Sequence, residues 1–161
     1  SELPAIVYWL MGSVASVSYK DFWAVLVILA GIVGLAFFSW QINVISMGEK
    51  EARTMGVNVV FSKRMIIACA TLATAGAVCI SGIIGWVGLI IPHIGRMLIG
   101  NDTRKLLPVS MSLGAVFMVT IDTISRSVTT SEIPLGVLTA LVGAPFFVFL
   151  LKKTKGGGWQ M

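Results

Sequence analysis

Histidine occurs once in this chain and cysteine twice, and only 12% of the residues are charged. A metal site built from side chains needs three or four clustered ligands, which His93, Cys69 and Cys79 do not supply. The two cysteines fall ten residues apart on one expected helix, roughly 15 Å along its axis, too far apart for a disulfide. They read as small packing residues. There is no phosphate-binding glycine loop, no HExxH helix and no Ser–His pair at a workable spacing, so no catalytic group and no cofactor is expected on this chain. An intramembrane enzyme would need a nucleophile and base that are missing. A secondary transporter or channel, the main alternative, would want ionisable groups at mid-membrane, and the apolar runs carry only Asp122, near one end.

Those apolar runs dominate the chain, with 57% hydrophobic residues and a mean hydropathy of +0.94. Residues 22–40 form nineteen positions without a charge and residues 65–91 another twenty-seven, followed by 106–121 and 133–151. A membrane-crossing helix takes about 20 mostly apolar residues, so at least four crossings are required. The runs are continuous rather than alternating, which excludes a membrane β-barrel. The expected fold is an all-α, polytopic membrane protein with about five spans, a partial N-terminal helix and one short surface helix. Residues 1–161 read as a single membrane unit without a soluble domain, heptad seam or repeat. The first apolar stretch, 5–17, is short and rich in glycine and serine, and an N-terminal part is expected to be missing.

Charge distribution orients the spans. Ten of twelve basic residues fall in three regions: Lys50, Arg53, Lys63 and Arg64; Arg96, Arg104 and Lys105; and Lys152, Lys153 and Lys155. Only Lys20 and Arg126 lie elsewhere. The positive-inside bias puts the three clusters in the cytoplasm and Lys20 and Arg126 outside. The basic surface is explained by the inner leaflet and needs no nucleic acid. Arg64 and Arg96 are then on the same side, so the uncharged stretch between them must go out and return. A helix over 65–81, a turn near 82–85 and a short arm over 86–98 are expected, with Pro92 breaking the arm's hydrogen-bond ladder. Asn101-Asp102 is expected to cap the next outward helix, which runs from Thr103 with a kink expected at Pro108 and ends around Arg126. Ser131 or Glu132 caps the last helix, with Pro134 in its first turn.

Between the first two long spans sits a charged island, Gly48-Glu49-Lys50-Glu51-Ala52-Arg53-Thr54-Met55-Gly56. Good helix formers bracketed by glycines predict a two-turn surface helix that stops at a left-handed Gly56. A charge run is commonly no more than a solvated face. Here a mere reversal of the chain needs only a few polar residues, so a rigid charged helix points to a docking surface. Asp122 and Arg126 lie four apart on one helix and are expected to pair near the outer surface. His93, without acidic neighbours, reads as a packing residue.

Three stretches together resemble one family. The island with Val57 is similar to the cytoplasmic coupling loop of FecCD-type permeases, the subunits of ABC importers for iron-siderophores, haem and vitamin B12. Gly85-Trp86-Val87-Gly88-Leu89-Ile90-Ile91-Pro92-His93-Ile94-Gly95-Arg96 is similar to that family's G-x-x-G-L-x-x-P-H-x-x-R segment. Asp122-Thr123-Ile124-Ser125-Arg126, then Glu132-Ile133-Pro134-Leu135-Gly136 and Gly143-Ala144-Pro145-Phe146, resemble its C-terminal signature. Tyr8-Trp9-Leu10-Met11-Gly12-Ser13 fits the outer end of its fifth helix.

The resemblance implies the C-terminal half of a ten-helix inner-membrane permease. It would act as a homodimer in membrane lipid, with an ATPase homodimer below and a substrate-binding protein above. ATP would be bound and hydrolysed by the partner, and this chain would be no enzyme. Residues 46–62 would be the coupling loop, with Gly48, Glu49, Glu51, Ala52, Arg53 and Gly56 meeting the ATPase. Gly12, Ser13 and Ser16 would flank the translocation path, and Arg126 and Glu132 would meet the binding protein. Gly85, Gly88, Pro92, His93, Arg96, Asp122, Pro134, Gly136, Gly143 and Pro145 would serve the architecture. The implied cargo is an iron chelate or a cobalamin-like molecule; nothing in the composition separates these, or an oxyanion.

Overall fold

The structure is a computed structural model describing residues 3–14, 17–128 and 133–155, with side chains as far as residue 152. Ser16, Ser131 and Glu132 lie outside the described residues. The chain is helical throughout the described part, in the order α1 (Leu3–Leu10), α2 (Phe22–Phe37), α3 (Ser39–Ser46), α4 (Glu49–Thr54), α5 (Val59–Ser81), α6 (Val87–Ile99), α7 (Thr103–Val128) and α8 (Leu135–Lys155), with a 3-10 turn over Tyr19–Asp21 leading into α2. Four of these are long and apolar enough to cross a membrane: the turn with α2, then α5, α7 and α8. The expected fifth span, α6, has thirteen residues. Its length of about 20 Å covers two-thirds of a hydrocarbon core of about 30 Å. Apolar side chains such as Phe22, Trp23, Val116 and Val119 point outward, as suits helices solvated by lipid.

Lipid gives apolar helices little reason to prefer one another over acyl chains, so close packing must come from small residues. The α2–α5 pair is built this way. A Cβ on Gly31 would lie 2.7 Å from the Cys69 carbonyl oxygen and 2.8 Å from the Ala73 nitrogen. One on Gly34 would collide with the Cys69 thiol, and one on Gly76 would lie 2.8 Å from Ile28. The register runs antiparallel, and Cys69 serves as a packing residue.

Three boundaries differ from the sequence reading. The long helix begins at Val59 rather than 65, because the Asn58 carboxamide oxygen accepts from the Phe61 N–H (3.1 Å) and caps it. Lys63 and Arg64 therefore lie inside α5. The run over 22–40 breaks at Phe38, where Ser39 donates to the Ala36 carbonyl (2.7 Å), and continues as the separate helix α3. Pro134 precedes the last helix instead of lying in its first turn; its carbonyl accepts from Val137 N–H (3.1 Å).

The helix ends gather at two poles. At one, the ends of α1, α5 and α7 meet the start of α8. Ser13 N–H donates to Ser81 O (2.9 Å), Leu135 N–H to Gly12 O (2.9 Å), Gly136 N–H to Met11 O (3.0 Å), and Ser125 Oγ to Ile133 O (2.6 Å). At the other, α3, α4 and the start of α5 adjoin the turn between α6 and α7. The chain from 59 to 99 thus runs from the island pole to the opposite pole and back.

Candidate functional site

The island is a helix of six residues, Glu49–Thr54, held from beneath and charged on top. Ala52 is fully buried and packs in a small core with Val44 of α3, Val57 and Val59. Gly56 has φ +79° with open space around it, so the helix stops in the left-handed turn expected of it. Lys63, one turn into α5, forms an ion pair with Glu49. The Lys63 hydrogen bond and its charge hold the Glu49 carboxyl below the usual carboxylate range. A side chain at Gly48 would collide with the Glu51 carboxylate, which folds back over it. Lys50, Glu51 and Arg53 remain exposed, whereas Ala52 faces inward and anchors the helix rather than presenting a contact.

Beside the island, Asn43 of α3 grips the start of α7. Its amide nitrogen donates to Asp102 Oδ1 (2.7 Å), and its amide oxygen accepts from Thr103 N–H (2.8 Å). Asp102 Oδ1 also accepts from Arg104 N–H (3.1 Å), which makes it the expected helix cap. The Asn43 hydrogen bond, then the backbone one, lowers the Asp102 pKa. Asn43 was not singled out in the sequence, and no local spacing ties residue 43 to 102.

At the opposite pole Asp122 and Arg126 pair as expected, with Nε to Oδ2 at 2.9 Å. Gly12 and Ser13 are buried in the backbone junction. A Cβ on Gly82, which has φ +68°, would run into the Trp9 carbonyl, and one on Gly136 into the Met11 carbonyl. The junction therefore requires glycine at both positions. An open cleft of about 580 Å³ lies beside it, lined by Leu10, Met11, Ile83, Trp86, Val137 and Ala140 among others, with no ionisable side chain.

Structure brings two of the sequence motifs together across α6 and α8. A Cβ on Gly143 would lie 2.6 Å from Trp86 Cβ, so the glycine makes room for the indole, which also meets Phe147 edge-on (centroids 6.1 Å). Trp86 itself has φ 65°, a conformation rare for a bulky residue. His93 packs edge-to-face on Phe146 at 6.4 Å. Gly95 lets Leu106 and Ser110 of α7 approach α6, while Gly85 and Gly88 face open space. Arg96 is exposed in the last turn of α6 and Pro92 and Pro145 lie within their helices. Among the described residues no three His, Cys, Asp or Glu side chains cluster as a metal site.

Comparison with known proteins matches this geometry to one family. Residues 1–153 match the FecCD transport family. The molybdate import system permease protein MolB of Haemophilus influenzae is 44% identical over 159 residues, 98% of this chain and 47% of its own. The cobalamin import system permease protein BtuC of Halobacterium salinarum is 44% identical over 152 residues, 94% of this chain and 41% of its own. A solved structure described as an inward-facing metal-chelate type ABC transporter superposes with a TM-score of 0.88 at 43% identity, covering 95% of this chain and 50% of that one. The chain spans about half the length of the curated relatives it matches. It is a multi-pass membrane protein, and it belongs to the FecCD transport family.

Proposed function

We propose that this chain is the C-terminal half of the permease subunit of a binding-protein-dependent ABC importer. The cargo is an iron chelate or cobalamin-like molecule, the class to which the names of several relatives point. The island pole faces the cytoplasm and the α1–α5–α8 junction faces outward, in keeping with the basic clusters. The membrane is the bacterial or archaeal inner membrane. The chain carries no ATP chemistry and no cofactor; a separate ATPase dimer supplies the energy, and a second permease copy completes the path. Gly12, Ser13 and Ser16 flank that path at its outer end, and Arg126 and Glu132 meet the binding protein.

The observation that carries this reading is the mounting of α4. A helix this short has no stability of its own in water, yet it is fixed by the buried Ala52, a glycine stop and the Lys63 pair. Its free charged face is Lys50, Glu51 and Arg53. Closure of an ATPase dimer pushing on that face would move it as a rigid body and tilt the attached helices. Glu51→Lys in the complete permease should uncouple ATP hydrolysis from transport while leaving membrane insertion unchanged. Wild-type coupling in that variant would refute the docking role.

A further inference from the structure

The island joins the membrane helices covalently at both ends: α4 leads through Val57 and Asn58 into α5, and back through Gly48 into α3 and α2. A third, non-covalent route is Asn43. On α3, Val44 faces the core it shares with Ala52, while its neighbour Asn43 reaches the start of α7. Sequence spacings of 59 and 60 residues separate the partners, so these hydrogen bonds join elements the chain does not otherwise connect there. Among the described residues, they are the side-chain hydrogen bonds that link α3 to the head of α7.

We propose that Asn43 is a positioning residue that transmits displacement of the island to α7, making α7 move with α5 when the ATPase acts. This rests on the ABC-importer reading above. The physical case is the two-point geometry. A planar carboxamide that donates from one end and accepts at the other fixes both the separation and the orientation of its partners, which a single hydrogen bond does not. The oxygen it engages on Asp102 is also the one that caps α7 through Arg104 N–H. Pulling α3 away therefore breaks the clamp at the helix's own cap, where the freed N–H of Thr103 has no intrahelical partner. From there α7 extends for twenty-six residues, about 39 Å, and carries the Asp122–Arg126 pair near its far end. The helix is continuous through Pro108, so a displacement at its head is carried along it toward the opposite membrane face. Physical contact of this kind, rather than mere intermediacy, is what a coupling route requires.

The chemistry defines a pair of variants. Asn43→Leu keeps the size and loses both hydrogen bonds. Asn43→Gln keeps the carboxamide, with its donor and its acceptor, on a stem one methylene longer. The test uses the complete permease assembled with its ATPase and binding protein in proteoliposomes, reading ATPase co-purification, ATP hydrolysis and substrate moved per ATP. Asn43→Leu should retain the ATPase and its hydrolysis but lower substrate moved per ATP by about three- to tenfold, with Asn43→Gln keeping most of it. Unchanged transport per ATP in Asn43→Leu would overturn the proposal, and so would an equal loss in Asn43→Gln. Failure of the wild-type permease to retain any ATPase would instead overturn the importer reading itself, and the clamp's role with it.

Discussion

Glu49, the first residue of α4, is held by Lys63 of α5 across the turn that Gly56 makes possible. Of the two acidic residues on the island, one is thus committed to an internal ion pair, and Glu51 is the better probe of an external partner. The pair also ties the island to α5 in a pH-dependent way. A carboxyl whose pKa is lowered in the folded state stabilises above the usual carboxylate range, and the contribution is lost as pH falls through the lowered value.

Lys63→Met should therefore speed hydrogen exchange of the α4 amides at neutral pH. The ratio of variant to wild-type rates, compared at equal pH, should fall toward unity as the pH is lowered through the depressed Glu49 pKa. A ratio of one already at neutrality would mean the pair does not hold the island.

Two glycines with left-handed backbone separate conformational strain from collision. Gly56 faces open space, so Gly56→Ala should cost only the backbone term, about 1 kcal/mol. Gly82→Ala adds a methyl where the Trp9 carbonyl lies, and about 2–4 kcal/mol is expected from the forced shift. Thermal unfolding of the detergent-solubilised permease checks the order; equal losses would mean the junction is looser than its geometry.

At the outer pole Arg126 is expected to steer the binding protein. Arg126→Glu should slow association by about tenfold at low salt, with the difference shrinking as salt screens it. Asp122→Asn disturbs the same helix end without reversing that charge. Equal, salt-independent losses in stopped-flow binding would assign Arg126 a structural role alone.

Much of this fold is legible in the sequence because the bilayer imposes long local patterns. The charge-free runs gave the crossings, the basic clusters their alternation, and the glycine-bracketed island its helix and stop. Asp102 and the Asp122–Arg126 pair were also readable, since a cap and an i,i+4 pair are local. What was hidden is long-range or locally ambiguous. The break at Phe38 lies in a run that is apolar on both sides. Asn58 starts α5 early because a single cap outweighs the basic pair that looked like a boundary. Asn43 and Asp102, or Trp86 and Gly143, meet only because separate helices pack, and no periodicity records that. Ala52 carried no mark of burial, as an alanine between charged residues suits either face.

The most direct test of the importer reading is a cross-link from the island. A photo-reactive side chain placed at exposed position 50 of the assembled transporter should form an adduct with the ATPase subunit, and one at position 20, at the opposite pole, should not. No adduct from position 50, or equal yields from both, would contradict it.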